Sequence, residues 1–446
     1  MRTIDLRGVS ARDAAALVPR AVEARENALK VAGDLVADVR DRGEAALREH
    51  AERFDGVSGH PLRVPRSDID AAVASLDPAV RDALEQAIVR VRRASAAQVP
   101  APAVTEIAPG ARVTQRWQPV RRVGVYVPGG KAVYPSTVVM NVVPAQVAGV
   151  EAVALMSPAQ RPDGRVHPTI LAAAGILGVQ EVYAIGGASA ISALAHGIDE
   201  IGLEAVDVVT GPGNNFVAAA KRHVAGMVGI DSEAGATEIL VIADATADPV
   251  VVAADLVSQA EHDEQAGSVL VTDSPELARA VERETERLAA RTLHSRRVKA
   301  ALEGSQSAIV IVDDLAAAAD FSNAYAPEHL EVVTAEPEDL LPRLTSAGAI
   351  FLGASTPVSL GDYLAGSNHV LPTGGQARYA AGLGAHTFLR PQQVISYDRA
   401  ALAEVAGPII ALAEAEALPA HGEAITARFS PERLTGGSAI DAASTD

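Results

Sequence analysis

Apolar residues recur at helical spacing through the first hundred positions. In AVEARENALKVAGDLVADVRDRGEAALREHAERF and DPAVRDALEQAIVRVRRASAAQ, charges fill the gaps between apolar residues three and four apart, which predicts amphipathic helices. Pro and Gly break the pattern in PAPAVTEIAPG, and the strand-like ARVTQRWQPV follows. From Arg122 the period changes. Short β-rich runs (VGVYV, AVALM, EVYAIGG, VDVVTG, EILVIAD, SVLVTD, AIVIVDD, LEVVTA, AIFLG) alternate with longer Ala-rich helical stretches. Strands alternating with helices and bounded by Gly or Asp predict parallel sheets covered on both faces. So many strands exceed one compact sheet of the usual size, so two sheets are expected, divided around Ala234 to Ile239. After Gly366 the strand signal fades into helical patterns, RAALAEVAGPIIALAEAEAL and GEAITARF, and the final GGSAIDAASTD reads as a frayed end. The expected class is α/β, with two doubly wound domains and small helical N- and C-terminal elements.

Composition narrows the chemistry. Of 446 residues, 48% are hydrophobic and 21% charged, which supplies packed cores and excludes extended disorder. The formal net charge of −18 repels phosphate backbones, so no nucleic-acid partner is expected. The N-terminus lacks the apolar core of a signal peptide, and the longest apolar zone, Val138 to Ala159, is interrupted by Asn141, Pro144, Gln146, Glu151 and Pro158. A soluble, cytoplasmic protein without a membrane partner is the expectation. Cys is absent, so a bound metal must take imidazole, carboxylate or amide ligands, and the 11 His residues become the main inventory.

Three strand ends carry Gly-rich turns: VPGGK from Val127, IGGASA from Ile185 and TGPGNN from Thr210. Carboxyl ends of strands are where ligands sit in open α/β sheets, although each turn taken singly is more often only a tight connection. None is a full dinucleotide fingerprint, because Phe216 stands where a third Gly belongs, and no P-loop occurs. In DLVSQAEHDE, Gln259 and His262 leave one face of a predicted helix. In NAYAPEHLEV, the adjacent Glu328 and His329 lie in a helix-to-strand connection and suit proton transfer near neutrality. A long Gly-punctuated loop holds Asp362 and His369, and the tail holds Glu416 and His421. Gln259, His262, Asp362 and His421 form an N/O set compatible with zinc.

Taken together and in this order, VGVYVPGGKAVYPSTVVMNVVPAQVAGV, TGPGN, SQAEHDE, NAYAPEHLEV, GDYLAGSNHVLPT and LPAHGEA resemble the histidinol dehydrogenase family over nearly the whole chain. The resemblance implies oxidation of L-histidinol through L-histidinaldehyde to L-histidine with two NAD, the last steps of histidine biosynthesis. It implies a homodimer of two incomplete Rossmann-like domains whose tail elements cross to the partner. One Zn2+ per active site is implied on Gln259, His262, Asp362 and His421, with His421 from the other subunit. His329 matches the general base and Glu328 the carboxylate that activates water. Thr237, Gln259, His262, His329, Asp362, His369, Glu416 and His421 match substrate contacts, and Tyr126, Ser189 and Asn214 match NAD contacts. The expected domains are an N-terminal tail element (1–23), a first Rossmann-like domain (24–125 with 235–380), a second (126–234) and a dimer-crossing helical tail (381–446). Two positions depart from the family pattern. Ser189 replaces a Gln near NAD, which implies weaker NAD binding, and Ala236 in EAGATE replaces a Pro. The alternative is a related zinc- and NAD-dependent dehydrogenase that oxidises another primary alcohol, such as a sulfonated diol, to an acid.

Overall fold

The β-rich runs become strands with helices between them. The computed structural model describes residues 1–10, 15–20, 23–129, 132–161, 163–233 and 235–429. Gly130 and Lys131 of the first Gly-rich turn, and the terminal run expected to fray, lie outside the described residues. In chain order the strands are β1 (Arg2–Asp5), β2 (Ala103–Ala108), β3 (Ala111–Pro119), β4 (Arg122–Tyr126), β5 (Ala152–Ser157), β6 (Glu181–Ala184) and β7 (Val208–Thr210). They continue as β8 (Gly229–Ile230), β9 (Glu238–Ala243), β10 (Gly267–Thr272), β11 (Ala308–Ile311), β12 (His329–Val333), β13 (Ala349–Leu352) and β14 (Leu389–Tyr397).

The chain forms two compact units, Met1–Val99 with Pro119–Leu389, and Pro100–Gln118 with Arg390–Asp446. The first holds two parallel sheets, one six-stranded in the order β1-β11-β10-β9-β12-β13 and one five-stranded in the order β6-β5-β4-β7-β8. The sequence passes from one sheet to the other between Ile230 and Glu238. Burial of both faces explains the continuous apolar runs. In β9, Leu240 and Ile242 join one core while Ile239, Val241 and Ala243 join the core on the opposite face. Helices Pro249–Ala260 and Pro275–Ala289 cover one face, and helix Leu315–Tyr325 packs against β9 and β10 on the other. The fold is α/β with two doubly wound, Rossmann-like sheets.

Four strands were not expected: β2, in the segment read as a Pro/Gly break, the two-residue β8, and β1 and β14. β1 has four residues, none fully buried, and joins the six-stranded sheet only by pairing with β11 some 300 residues away. β14 falls in a region read as helical, and it joins β3 and β2 as a three-stranded sheet in the second unit. Pro391 and an almost wholly exposed strand leave no alternation to read. Helices Arg399–Ala415 and Pro419–Thr426 pack on each other in the same unit.

Candidate active site

β9 is central in the six-stranded sheet, and β12 pairs with it so that His329 lies opposite Ile239. Helix Leu315–Tyr325 ends at Ala326, which takes a left-handed φ of 52°, and Pro327 cannot extend it. The chain therefore turns at once into Glu328 and the first residue of β12, His329. A Cβ at Gly348 would lie 2.5 Å from the Glu328 carbonyl oxygen, so only glycine lets the backbone before β13 approach this turn.

A chain of hydrogen bonds fixes Glu328 and His329. Oε2 of the buried Glu328 accepts from Thr237 Oγ1 at 2.6 Å and from the Glu238 N–H at 2.9 Å. Thr237 Oγ1 accepts in turn from Gln259 Nε2 at 2.7 Å, which leaves the Gln259 Oε1 for another partner. His329 Nδ1 lies 3.1 Å from the Glu238 carbonyl oxygen. A carbonyl only accepts, so Nδ1 is the donor and Nε2 is the nitrogen turned away from this bond. Burial pushes the Glu328 carboxyl up to about 7, against the opposing pull of the His329 charge and the Thr237 and Glu238 bonds. A carboxyl that titrates there is populated in both forms near neutrality, as proton transfer requires.

The N/O ligand candidates converge from two further segments. Asp248 caps helix Pro249–Ala260 and Pro249 fills its first turn; Gln259 lies buried in its last. The helix ends at Ala260, so His262 sits in the following turn rather than on the helix, its N–H 3.3 Å from the Gln259 carbonyl oxygen. Burial lowers the His262 pKa, opposed by the Asp362 charge, and keeps the ring in the neutral form that binds metal. Asp362 lies on helix Val358–Tyr363, which packs against helix Pro249–Ala260. His369 donates from Nδ1 to the Asp362 carbonyl oxygen at 3.0 Å and accepts at Nε2 from Thr137 Oγ1 at 3.0 Å. Both its ring nitrogens are spent within the protein, so it orients the Asp362 backbone and ties this loop to helix Pro135–Ala148. Among the described residues, no three His, Asp or Glu gather to hold a metal. The first unit instead presents Gln259, His262 and Asp362, whose amide, imidazole and carboxylate suit zinc without thiolate. Glu416 and His421 belong to the second unit and are exposed, Glu416 closing one helix and His421 lying in the first turn of the next.

The Gly-rich turns sit at the carboxyl ends of the five-stranded sheet. Gly211 has φ 114°, and a Cβ there would lie 1.9 Å from the Tyr126 carbonyl oxygen. The buried Lys221–Asp231 pair grips both its carbonyl and its N–H. Asn214 caps the next helix, its Oδ1 accepting from Phe216 N at 3.0 Å and Val217 N at 3.1 Å. The buried Tyr126 hydroxyl accepts from the Gly187 N–H at 3.1 Å. Ser189 Oγ lies 2.8 Å from His50 Nδ1, and His50 Nε2 lies 3.1 Å from Asp38 Oδ2. A cavity of about 140 Å³ spans from Asn215, beyond β7, to Thr237 and Glu238 at the amino end of β9.

The sequence profile of the histidinol dehydrogenase family matches residues 18–429. The chain belongs to the histidinol dehydrogenase family. It is 67% identical over 432 residues to the histidinol dehydrogenase of Leifsonia xyli subsp. xyli, covering 96% of this chain and 99% of that one. Against the histidinol dehydrogenase of Thermobifida fusca it is 56% identical over 430 residues, with 96% and 98% covered. The crystal structure of histidinol dehydrogenase from Elizabethkingia anophelis matches at TM-score 0.90 and 32% identity, over 98% of this chain and 99% of that one. The chain is therefore an oxidoreductase of the histidinol dehydrogenase family.

In this family member Glu328 and His329 stand at the amino end of β12, beside that of β9, whereas the carboxyl-end expectation describes only the Gly-rich turns of the other sheet. Sequence reading missed Glu238, Arg20 and Thr137. Glu238 had a signal: a carboxylate opening the apolar run EILVIA is a buried charge that demands a partner. Arg20 supplies it, with Nε 2.7 Å from Glu238 Oε2.

Proposed function

We propose that this chain oxidises L-histidinol through L-histidinaldehyde to L-histidine with two NAD, using one zinc ion per site, at the end of histidine biosynthesis in the cytoplasm. The observation that carries this reading is the buried Glu328–Thr237–Gln259 chain of hydrogen bonds beside a His329 whose Nε2 is free. His329 Nε2 takes the hydroxyl proton as the first hydride departs, a positioned transfer typically worth ~10²- to 10⁴-fold. Glu328 then takes a proton from the water that adds to the aldehyde, giving the hydrate from which the second hydride leaves. Thr237 holds the carboxylate in place and turns the Gln259 oxygen outward.

Gln259, His262, Asp362 and His421 would hold zinc, which when bound orients the substrate through its amine and imidazole nitrogens. NAD would accept the two hydrides in succession beside Tyr126, Ser189 and Asn214. The Ser189 hydroxyl is already bonded to His50, in keeping with a weakened NAD contact at this position. His369 serves the site by holding Asp362, and Glu416 would meet the substrate from the tail.

We read the working form as a homodimer in which residues 381–446 cross to the partner, with 1–23, 24–125 plus 235–380, and 126–234 as the other divisions. The second unit exposes Val104, Ile107, Val394, Ile395 and Leu412, an apolar set suited to a partner surface, and leaves His421 available to another subunit. No helix among the described residues is long and apolar enough to cross a membrane. The test is NADH formed per L-histidinol consumed, before and after chelation. Two NADH per substrate, abolished by chelator and restored by zinc, is the expected result; turnover of another primary alcohol with none of histidinol overturns the reading.

A further inference from the structure

The guanidinium of Arg20 reaches from the N-terminal segment into the centre of the first unit. Its Nε and Nη2 meet the two carboxylate oxygens of Glu238 at 2.7 and 3.0 Å. Nη2 also donates to the carbonyl oxygens of Tyr325 at 2.5 Å and Ala326 at 3.4 Å, and the guanidinium carbon lies 3.9 Å over the Tyr325 ring. The Tyr325 hydroxyl closes the cluster on Glu238 Oε2 at 3.3 Å. Arg20 thus grips both the segment that leads into the reacting groups and the strand whose backbone holds them. On β9, Glu238 donates its N–H to Glu328, and its carbonyl oxygen accepts from His329 Nδ1. On the other side, Tyr325 and the left-handed Ala326 begin the turn that ends in Glu328.

Resting on the roles proposed above for Glu328 and His329, we propose that Arg20 is a positioning residue that fixes how these two groups sit against β9 by clamping Glu238 to the Tyr325–Ala326 turn. A planar fork suits this task, because it makes two parallel bonds to one carboxylate while its face stacks on an aromatic ring. A lysine has one charged point in place of the fork. Arg20 touches no reacting atom, so its removal acts on alignment, where a shift of about 1 Å from a remote change lowers rate about 10²-fold. The side chain also lines the cavity that reaches Thr237, so truncation opens a space that a guanidinium ion can enter from solvent.

The experiment compares wild type, Arg20→Ala and Arg20→Lys, with kcat and KM for histidinol and histidinaldehyde measured with and without guanidinium chloride at millimolar, non-denaturing concentrations. Wild-type turnover of histidinol is the control for the underlying reading; its absence sinks that reading rather than this one. Expected for Arg20→Ala are kcat lower by about 10²-fold in both half-reactions, KM values within threefold, and at least tenfold recovery with guanidinium but none with equal sodium chloride. A kcat within threefold of wild type, or a loss that guanidinium leaves untouched, overturns the inference, because a merely structural residue is not replaced by a free ion. Should Arg20→Ala fail to fold, Arg20→Lys carries the test through a kcat loss of at least tenfold at unchanged KM, and wild-type kcat in that variant refutes the clamp.

Discussion

Glu328→Gln separates the electrostatic cost of the site from its chemistry. The Glu328 carboxyl is raised from an ordinary 4.5 to about 7 by burial. An acid whose pKa is raised on folding binds its proton more tightly in the folded state. Its contribution is therefore fully present below pH 4.5 and is lost as pH climbs through 7. At ~1.4 kcal/mol per pH unit, the total loss is about 3 kcal/mol, of which about 2 kcal/mol falls between pH 5.5 and pH 9. Gln does not titrate, yet its Oε1 can accept the same bonds from Thr237 and the Glu238 N–H. The difference in unfolding free energy between Glu328→Gln and wild type should thus shift by about 2 kcal/mol in favour of the variant on going from pH 5.5 to 9. Urea unfolding followed by circular dichroism reads this, with excess chelator present so that metal binding does not enter. Titrating groups that do not interact with Glu328 cancel in the comparison. A difference that stays flat with pH would refute the claim that burial of Glu328 is an electrostatic strain held in the folded state.

Single-turnover measurements should find Glu328→Gln slower in aldehyde oxidation than in alcohol oxidation, and His329→Asn impaired in both by ~10²-fold or more; equal losses for Glu328→Gln would remove its assignment to water. Gly211→Ala places a methyl group against the Tyr126 carbonyl at a left-handed φ, and a loss of at least about 3 kcal/mol in denaturant unfolding is expected; a wild-type midpoint refutes the close approach. Glu331 is pushed up to about 9 by burial and the neighbouring Asp255 charge. Wild type should lose stability as pH rises toward 9, and Glu331→Gln should lose less; parallel pH profiles of the unfolding midpoint count against a carboxyl held neutral by burial.

Periodicity is local, so the sequence alone determined the alternation of strands and helices, the division into two sheets near residue 234 and the N/O character of the ligand candidates. The first and last follow from the spacing and chemistry of neighbours within a few residues, and the division into sheets follows from the number of such runs. The PEH tripeptide could likewise be seen at a helix-to-strand junction, because Pro327 ends the helix wherever the rest of the chain lies. Tertiary structure decided the rest. β1 and β14 are strands only because distant partners accept their backbone bonds, and their exposed side chains carry no pattern of their own. Glu328 and Thr237 are 91 residues apart, and Arg20 and Glu238 are 218 apart. No local spacing foretells either bond, for it is the parallel pairing of β9 with β12 that brings a carboxyl, a hydroxyl and an amide together, and burial there that moves the carboxyl into the range of useful proton transfer.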